Sequence, residues 1–141
     1  MSVKQKYFKL ATLVAILMIA VLCISSQTDA ASNILDGRTF VVKTGINGKQ
    51  ASDEDDLSFR DGKFYSSSCI VWDFSGGDYS TRVEGDTIYF EAITVSEKHG
   101  RIVWAGKIEG DKISGTYIWT KQRWYWKDAR QEKWFEGKLK T

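Results

Sequence analysis

The stretch that decides the fold is RIVWAGKIEGDKISGTYIWT, residues 101–120. Its large apolar side chains recur at every second position on both sides of a Gly-Asp pair. They are Ile102, Trp104, Ile108, Ile113, Tyr117 and Trp119. Such alternation is typical of antiparallel strands with one buried face and one solvent-exposed face. A Gly-Asp pair between two such runs is typical of a tight turn, so the stretch predicts a β-hairpin.

Runs of the same kind fill most of the chain, separated by turn residues such as Asp61-Gly62 and Gly85-Asp86. The predicted strands are Arg38–Lys43, Leu57–Arg60, Lys63–Ser68, Tyr79–Glu84, Thr87–Val95, Arg101–Glu109, Lys112–Thr120, Arg123–Trp126 and Lys133–Lys140. No stretch after residue 31 keeps a helical apolar period for more than about two turns. The chain is therefore predicted to be all-β.

Strands joined in sequence order by short turns predict an antiparallel up-and-down β-barrel of about eight strands. Closure into a barrel removes the exposed edges of the sheet. Gly106 and Gly115 fall on the inward faces of neighbouring strands, where a missing side chain permits the necessary bend. A two-sheet β-sandwich is the alternative. A barrel of about eight strands has room for packed side chains or for one small ligand.

The first thirty residues have a different composition. Three lysines precede the apolar run Leu10–Ile24, and a short polar stretch then ends in the small residues Ala30 and Ala31. This order predicts a signal-peptide helix, residues 1–30, cut after Ala30. The run has about 15 residues where a membrane-spanning helix needs about 20, which favours a cleaved signal peptide; a retained membrane anchor is the alternative. Residues 31–141 are then a single β-barrel domain of a periplasmic or secreted protein.

Charge argues against a nucleic-acid partner. The chain has 20 Lys and Arg and 18 Asp and Glu, and residues 1–30 hold three lysines and one aspartate, which leaves 17 of each sign in residues 31–141. A domain with zero formal net charge lacks the basic surface on which nucleic-acid binding depends.

Basic and aromatic side chains are mixed together in residues 121–141. Residues 121–141 hold seven basic and three acidic side chains, a net charge of +4, whereas residues 31–120 hold ten and fourteen, a net charge of −4. Such a segment can bind single-stranded nucleic acid, a glycan or anionic lipid headgroups. The preferred interpretation is structural: the rings fill the barrel while Lys and Arg cover its outer face.

Residues able to do covalent or metal chemistry are few. Cys69 is the only cysteine after residue 30, and it is expected to be buried and inert, with a disulfide-linked dimer as the alternative. His99 is the only histidine, so a zinc site of several His or Cys ligands is not predicted. The acidic run Asp53–Asp56 lacks the spacing of an EF-hand and is expected to be a solvated loop. No catalytic residue, metal or cofactor is predicted.

Three segments carry a resemblance to a known group of proteins. They are WAGKIEGDKISGT at 104–116, FRDGKF at 59–64 and WFEGKL at 134–139. The chain resembles uncharacterised small exported bacterial β-barrel proteins with a lipocalin- or avidin-like plan. It lacks the early Gly-x-Trp signature of lipocalins at Asp36-Gly37-Arg38, and no matching set of biotin-binding residues is present. The resemblance implies a barrel and carries no activity.

The predicted function is that of an exported, non-catalytic domain that binds a small apolar or amphipathic ligand in its barrel, or an envelope protein on its surface. The candidate ligand-binding rings are Trp72, Phe90, Trp104, Tyr117, Trp119, Trp124 and Trp126. One alternative is a filled barrel that acts as a surface interaction or inhibitor module. Another is a hydrolase with carboxylates at the barrel mouth, drawn from Asp73, Asp78, Glu84, Glu91 and Glu109. Contact with a membrane is expected only through an uncleaved signal segment.

Overall fold

The computed structural model describes residues 33–141, which form a closed barrel of eight antiparallel strands arranged in sequence order. The elements are β1 Thr39–Ile46, β2 Asp53–Arg60, β3 Lys63–Ser66, α1 Ser67–Ile70, β4 Gly77–Glu84, β5 Thr87–Ser96, β6 Gly100–Glu109, β7 Lys112–Lys121 and β8 Ala129–Leu139. The prediction of an up-and-down barrel is confirmed, and the β-sandwich alternative is wrong. The predicted signal peptide, residues 1–30, lies outside the described residues.

The connections differ between the two ends of the barrel. Because successive strands run in opposite directions, the connections after β2, β4 and β6 share one end, which we call the closed end. There they are the predicted two-residue turns Asp61-Gly62, Gly85-Asp86 and Gly110-Asp111. At the opposite end, which we call the open end, four longer connections cover residues 47–52, 67–76, 97–99 and 122–128.

The segment before β1 covers the closed end. Leu35 is fully buried, and the Gly37 amide donates a hydrogen bond to the Phe59 carbonyl at 2.7 Å. The carboxylate of Asp36 accepts hydrogen bonds from the Gly62 amide at 3.0 Å and from the Tyr79 hydroxyl at 2.7 Å. These bonds tie the segment to the β2–β3 turn and to β4. No route for a ligand is therefore expected at this end.

Aromatic rings fill the interior next to the closed end. Trp104 is fully buried, with its ring stacked on Tyr117 at 4.3 Å and packed against Phe64 at 4.9 Å between centroids. The other fully or nearly fully buried rings of this cluster are Phe40, Phe59, Phe90 and Phe135. Each such ring buries about 150–250 Å², so this half of the barrel is packed rather than hollow.

A pair of glycines makes room for these rings. Gly106 and Gly115 face each other across β6 and β7, and Gly115 pairs with Phe135 on β8. A Cβ atom at Gly115 would lie 2.6 Å from Phe135 Cζ, and one at Gly106 would lie 2.7 Å from Phe90 Cε1. Real side chains do not approach so closely. The two glycines lie on the inward faces as predicted, and the space beside them is occupied by two phenylalanine rings.

Three sequence expectations about local structure differ from the structure. Arg123–Trp126 is not a strand: β7 already pairs with β8 up to Lys121 opposite Ala129, so the rings fall in the connection between them. The run Asp53–Asp56 is not a loop but the first half of β2, paired with β1. The predicted strand Lys63–Ser68 ends early, because α1 begins at Ser67. This single helical turn is too short to span a membrane, and residues 33–141 contain no other helix.

The glycine pair yields a stability prediction. Gly115→Ala is expected to lower the free energy of unfolding by about 1–3 kcal/mol or more, because the new methyl group would clash with the Ala105 carbonyl oxygen and would lie 2.6 Å from Phe135 Cζ. The control is Ser114→Ala on the outer face of the same strand, with an expected change of about 0.5 kcal/mol or less. Urea denaturation followed by circular dichroism measures both. Equal effects of the two variants would show that the interior has spare room at Gly115.

Candidate functional site

A layer of polar side chains lies inside the barrel between the aromatic core and the open end. Its buried members are Thr44, Asp55, Ser66, Thr94 and Ser96. Thr94 Oγ1 accepts a hydrogen bond from Trp104 Nε1 at 3.1 Å, which joins the layer to the core below. Within the described residues, every buried side-chain nitrogen or oxygen has a hydrogen-bond partner. The layer therefore forms a satisfied boundary between the packed half and the open half of the barrel.

Asp55 is the centre of this layer. Its carboxylate accepts hydrogen bonds from the Ser67 hydroxyl at 2.8 Å, from the Ser68 amide at 2.9 Å and from the Ser66 hydroxyl. Three donors from one short segment fix the start of α1 against β2. Asp55 shares its strand face with Leu57 and Phe59, and this alternation is the sequence signal that could have identified it as an inward residue.

Above the layer lies a pocket of about 520 Å³ that opens at the open end. Its apolar wall consists of Trp72, Phe74, Ile102, Tyr117 and Trp119. Its polar lining consists of Thr44, Asp53, Glu54, Ser68, Cys69, His99, Gln131 and Lys133. Phe74, Ile102 and Tyr117 are themselves buried, so they separate the pocket from the core. Pockets for small ligands commonly measure about 300–1,000 Å³ and combine apolar walls with a few polar groups.

Two tryptophans and a histidine fix one side of the pocket mouth. The Trp72 ring contacts the His99 ring edge to face, with centroids 5.5 Å apart. Trp119 Nε1 donates a hydrogen bond to the His99 carbonyl at 2.7 Å. The connection 97–99 is therefore held between the two indoles, although Trp72 remains mostly exposed on its other face.

Lys133 is the cation of the pocket. It lies on β8 two residues before the buried Phe135 and is half-buried. Within residues 33–141 its side chain forms no salt bridge or hydrogen bond, whereas six other cations do form salt bridges. The acidic residues of the lining, Asp53 and Glu54, are exposed and therefore solvated. Lys133 is thus the charged group best placed to attract an anionic ligand atom.

Cys69 lines the same pocket as a free, half-buried thiol. Burial raises its pKa above the ordinary value, and hydrogen bonding to Ser66 opposes the shift only in part. Because the thiolate is the reactive form, a raised pKa lowers the reactivity of this thiol at neutral pH. The sequence predicts a buried Cys69, but the structure leaves it half-buried at the pocket; its inertness and a Cys69-linked dimer stay predictions.

The structure divides the seven predicted ligand-binding rings into three groups. Trp72, Tyr117 and Trp119 line the pocket. Phe90 and Trp104 are buried in the core below it. Trp124 and Trp126 project from the connection 122–128 into solvent, so the expectation that their rings face inward is wrong. Sequence reasoning missed Thr44, His99 and Lys133 as pocket residues, although Thr44 and Lys133 keep the alternation of their strands.

The carboxylates considered for hydrolysis lie elsewhere. Asp73, Asp78, Glu84, Glu91 and Glu109 are absent from the lining of the pocket. Four of them form salt bridges with exposed cations: Asp73 with Lys98, Asp78 with Lys63, Glu84 with Arg82, and Glu109 with Lys107. Among the described residues no group of three or more His, Cys, Asp or Glu side chains is arranged to hold a metal ion.

Comparison with known proteins finds no match: no family model, no curated protein and no solved structure. The resemblance to small exported bacterial barrels therefore stays a prediction.

The Asp55 network yields a second prediction. Asp55→Ala is expected to lower the free energy of unfolding by about 2–4 kcal/mol, because it leaves three buried or half-buried donors without their charged acceptor. Asp56→Ala is the matched control, since it removes the same charge from the same run but breaks only an exposed salt bridge to Lys140, worth about 1 kcal/mol or less. Urea denaturation measures both. Equal losses would contradict the role assigned to Asp55.

Tyr117 yields a third prediction. Burial raises the pKa of its hydroxyl from 10.0 to about 12, although contact with Thr44 opposes the shift. Below pH 10 the hydroxyl is protonated in both the folded and the unfolded protein. Between about pH 10 and 12 only the unfolded protein loses this proton, so the free energy of unfolding falls as the pH rises.

Tyr117→Phe is therefore expected to reduce this alkaline loss, measured by urea denaturation at a series of pH values. The loss is not expected to disappear, because burial and a hydrogen bond to Asp36 also raise the pKa of Tyr79. Tyr125→Phe, at an exposed ring, is the control and should leave the pH profile unchanged. A Tyr117→Phe profile identical to that of the parent protein would refute the burial of this hydroxyl.

Proposed function

We propose that this protein is an exported, non-catalytic binding protein whose pocket at the open end holds a small amphipathic molecule. The observation that carries the proposal is the shape of the interior. The half next to the closed end is filled by rings, and a pocket of about 520 Å³ remains above the polar layer. A ligand would therefore enter only the upper part of the barrel.

The lining supports an amphipathic rather than a purely apolar ligand. Trp72, Trp119 and Ile102 offer an apolar wall for rings or a short chain. Lys133 has no ion-pair partner among the described residues and offers a site for an anionic or strongly polar group. A fully apolar ligand would leave this ammonium desolvated without compensation, which is costly.

The export assignment rests on the first thirty residues. Their order of charge, apolar run and small residues supports a cleaved signal peptide and a periplasmic or secreted location. An envelope protein stays the alternative partner, and it would use the surface of the barrel rather than the pocket.

A pair of fluorescent probes tests the pocket. Anilinonaphthalene sulfonate and phenylnaphthylamine share their ring system, but only the first carries an anionic group. Both are expected to bind with a rise in fluorescence. Lys133→Met should weaken the sulfonate by about tenfold, the equivalent of about 1.4 kcal/mol, and should leave the uncharged probe nearly unaffected. Lys112→Met, an exposed lysine near the closed end, is the control.

A blocking variant locates the bound probe. Ser68 is exposed and lines the pocket, so Ser68→Trp places a large ring in the mouth and should abolish binding of both probes. Ser80→Trp adds the same ring to the outer face of β4 and should not affect binding. Probe binding that survives Ser68→Trp, or no probe binding by a folded protein, would overturn the proposed function.

A further inference from the structure

Two exposed apolar clusters stand on the rim of the open end. The first is Ile70, Val71 and Trp72 in the connection 67–76. The second is Trp124, Tyr125 and Trp126 in the connection 122–128, where Trp124 is 95% exposed. We call these six residues the rim clusters. Soluble proteins rarely expose so many large apolar side chains together unless the surface binds something.

Topology places the rim clusters on both sides of the pocket mouth. One cluster follows β3 and the other follows β7, so four of the eight strands separate them around the closed barrel. Connections after odd-numbered strands share the open end. The apolar side chains therefore form two projections at one end of the barrel with the pocket between them, a layout suited to contact with a broad, flat surface.

Charge is also unequal between the ends. Residues 121–130, which contain the second rim cluster, hold four basic side chains and one acidic, a net charge of +3. The other three connections at the open end hold two basic and two acidic side chains, and the exposed Asp53 and Glu54 at the start of β2 add two negative charges at this end. At the closed end, residues 33–38, the three turns and residues 140–141 hold two basic and four acidic side chains, a net charge of −2. The second rim cluster thus combines apolar projections with positive charge.

An anionic lipid surface has the chemistry that matches this combination. Tryptophan and tyrosine side chains favour the headgroup level of a bilayer, and adjacent Lys and Arg are attracted to anionic lipids. A glycan would favour a flat ring platform, whereas the Trp124 and Tyr125 rings meet at 73°. Exposed aliphatic side chains such as Ile70 and Val71 have no role in sugar or nucleic-acid stacking, but they can enter a lipid headgroup layer.

We infer that the rim clusters dock the open end of the barrel onto an anionic membrane surface, so that the mouth of the pocket faces the lipid. The inference goes beyond the proposed function, because docking requires no ligand in the pocket. Attachment is peripheral: the projecting rings enter the headgroup region while the strands stay outside it.

Sedimentation with lipid vesicles tests this inference on the chain without its first thirty residues. Vesicles of phosphatidylcholine alone are compared with vesicles in which phosphatidylglycerol replaces part of it. Stronger binding to the anionic vesicles is expected, and it should weaken as salt rises above about 0.1 M. Failure to bind either vesicle at low salt would overturn the inference and direct the search to a protein partner.

Paired variants assign the binding to the rim. The double variant Trp124→Ala, Trp126→Ala should lower the partition coefficient about tenfold or more for both kinds of vesicle. The double variant Arg123→Glu, Lys127→Glu should lower it by about 30-fold or more on anionic vesicles, because two attractive charges are lost and two repulsive ones are added, and little on neutral ones. Two double variants near the closed end are the controls. Ile34→Ala, Val83→Ala matches the tryptophan variant, and Lys112→Glu, Lys138→Glu matches the charge variant.

Equal losses in the rim and control variants would refute the docking surface, provided that circular dichroism shows all variants folded. The outcome is separable from that of the proposed function. The fluorescent probes report on the pocket without any membrane, and the vesicles report on the rim without any soluble ligand. Vesicle binding without probe binding would keep the docking surface and reject the pocket.

Discussion

The buried Trp104 ring determines how deep the pocket at the open end can be. The indole is fully buried against Tyr117 and Phe64, and its one polar atom donates to Thr94 in the buried polar layer. Below this point rings occupy the cross-section of the barrel. Above it lies the buried polar layer, and then the pocket with its apolar wall and polar groups. Because an eight-stranded barrel encloses little more than its own side chains, a ring of this size at mid-height determines that the cavity is shallow and opens at one end.

The two ends are built by different kinds of connection. Two-residue turns and the Asp36 hydrogen bonds close one end tightly. The other end has room for α1, the His99 connection and the exposed aromatic connection, each of which contributes to the pocket or its rim. The lengths of the connections therefore determine which end of the barrel is open to the proposed ligand and the proposed membrane surface. Asp55 anchors the longest of the open-end connections to the barrel wall.

Alternation in the sequence was sufficient to predict the barrel, since each strand needs one apolar face and the Gly-Asp turns mark its ends. It could not place Trp124 and Trp126, because a ring in a connection obeys no alternation and is buried only if a neighbour covers it. It also misjudged Asp55, whose charge suggested solvent. Three hydrogen-bond donors that are distant in sequence stabilise the buried carboxylate. The local sequence pattern around Asp55 does not reveal these donors.

The indole N–H signals of the six tryptophans give the most direct test, because each reports on one region of this architecture in a single NMR spectrum. We expect the Trp104 signal to resist hydrogen exchange until the protein unfolds, the Trp124 and Trp126 signals to exchange fast, and the sulfonated probe to shift the Trp72 and Trp119 signals most. Fast exchange at Trp104, or a probe-induced shift largest at Trp124 or Trp126, would contradict a barrel that is filled below and open above.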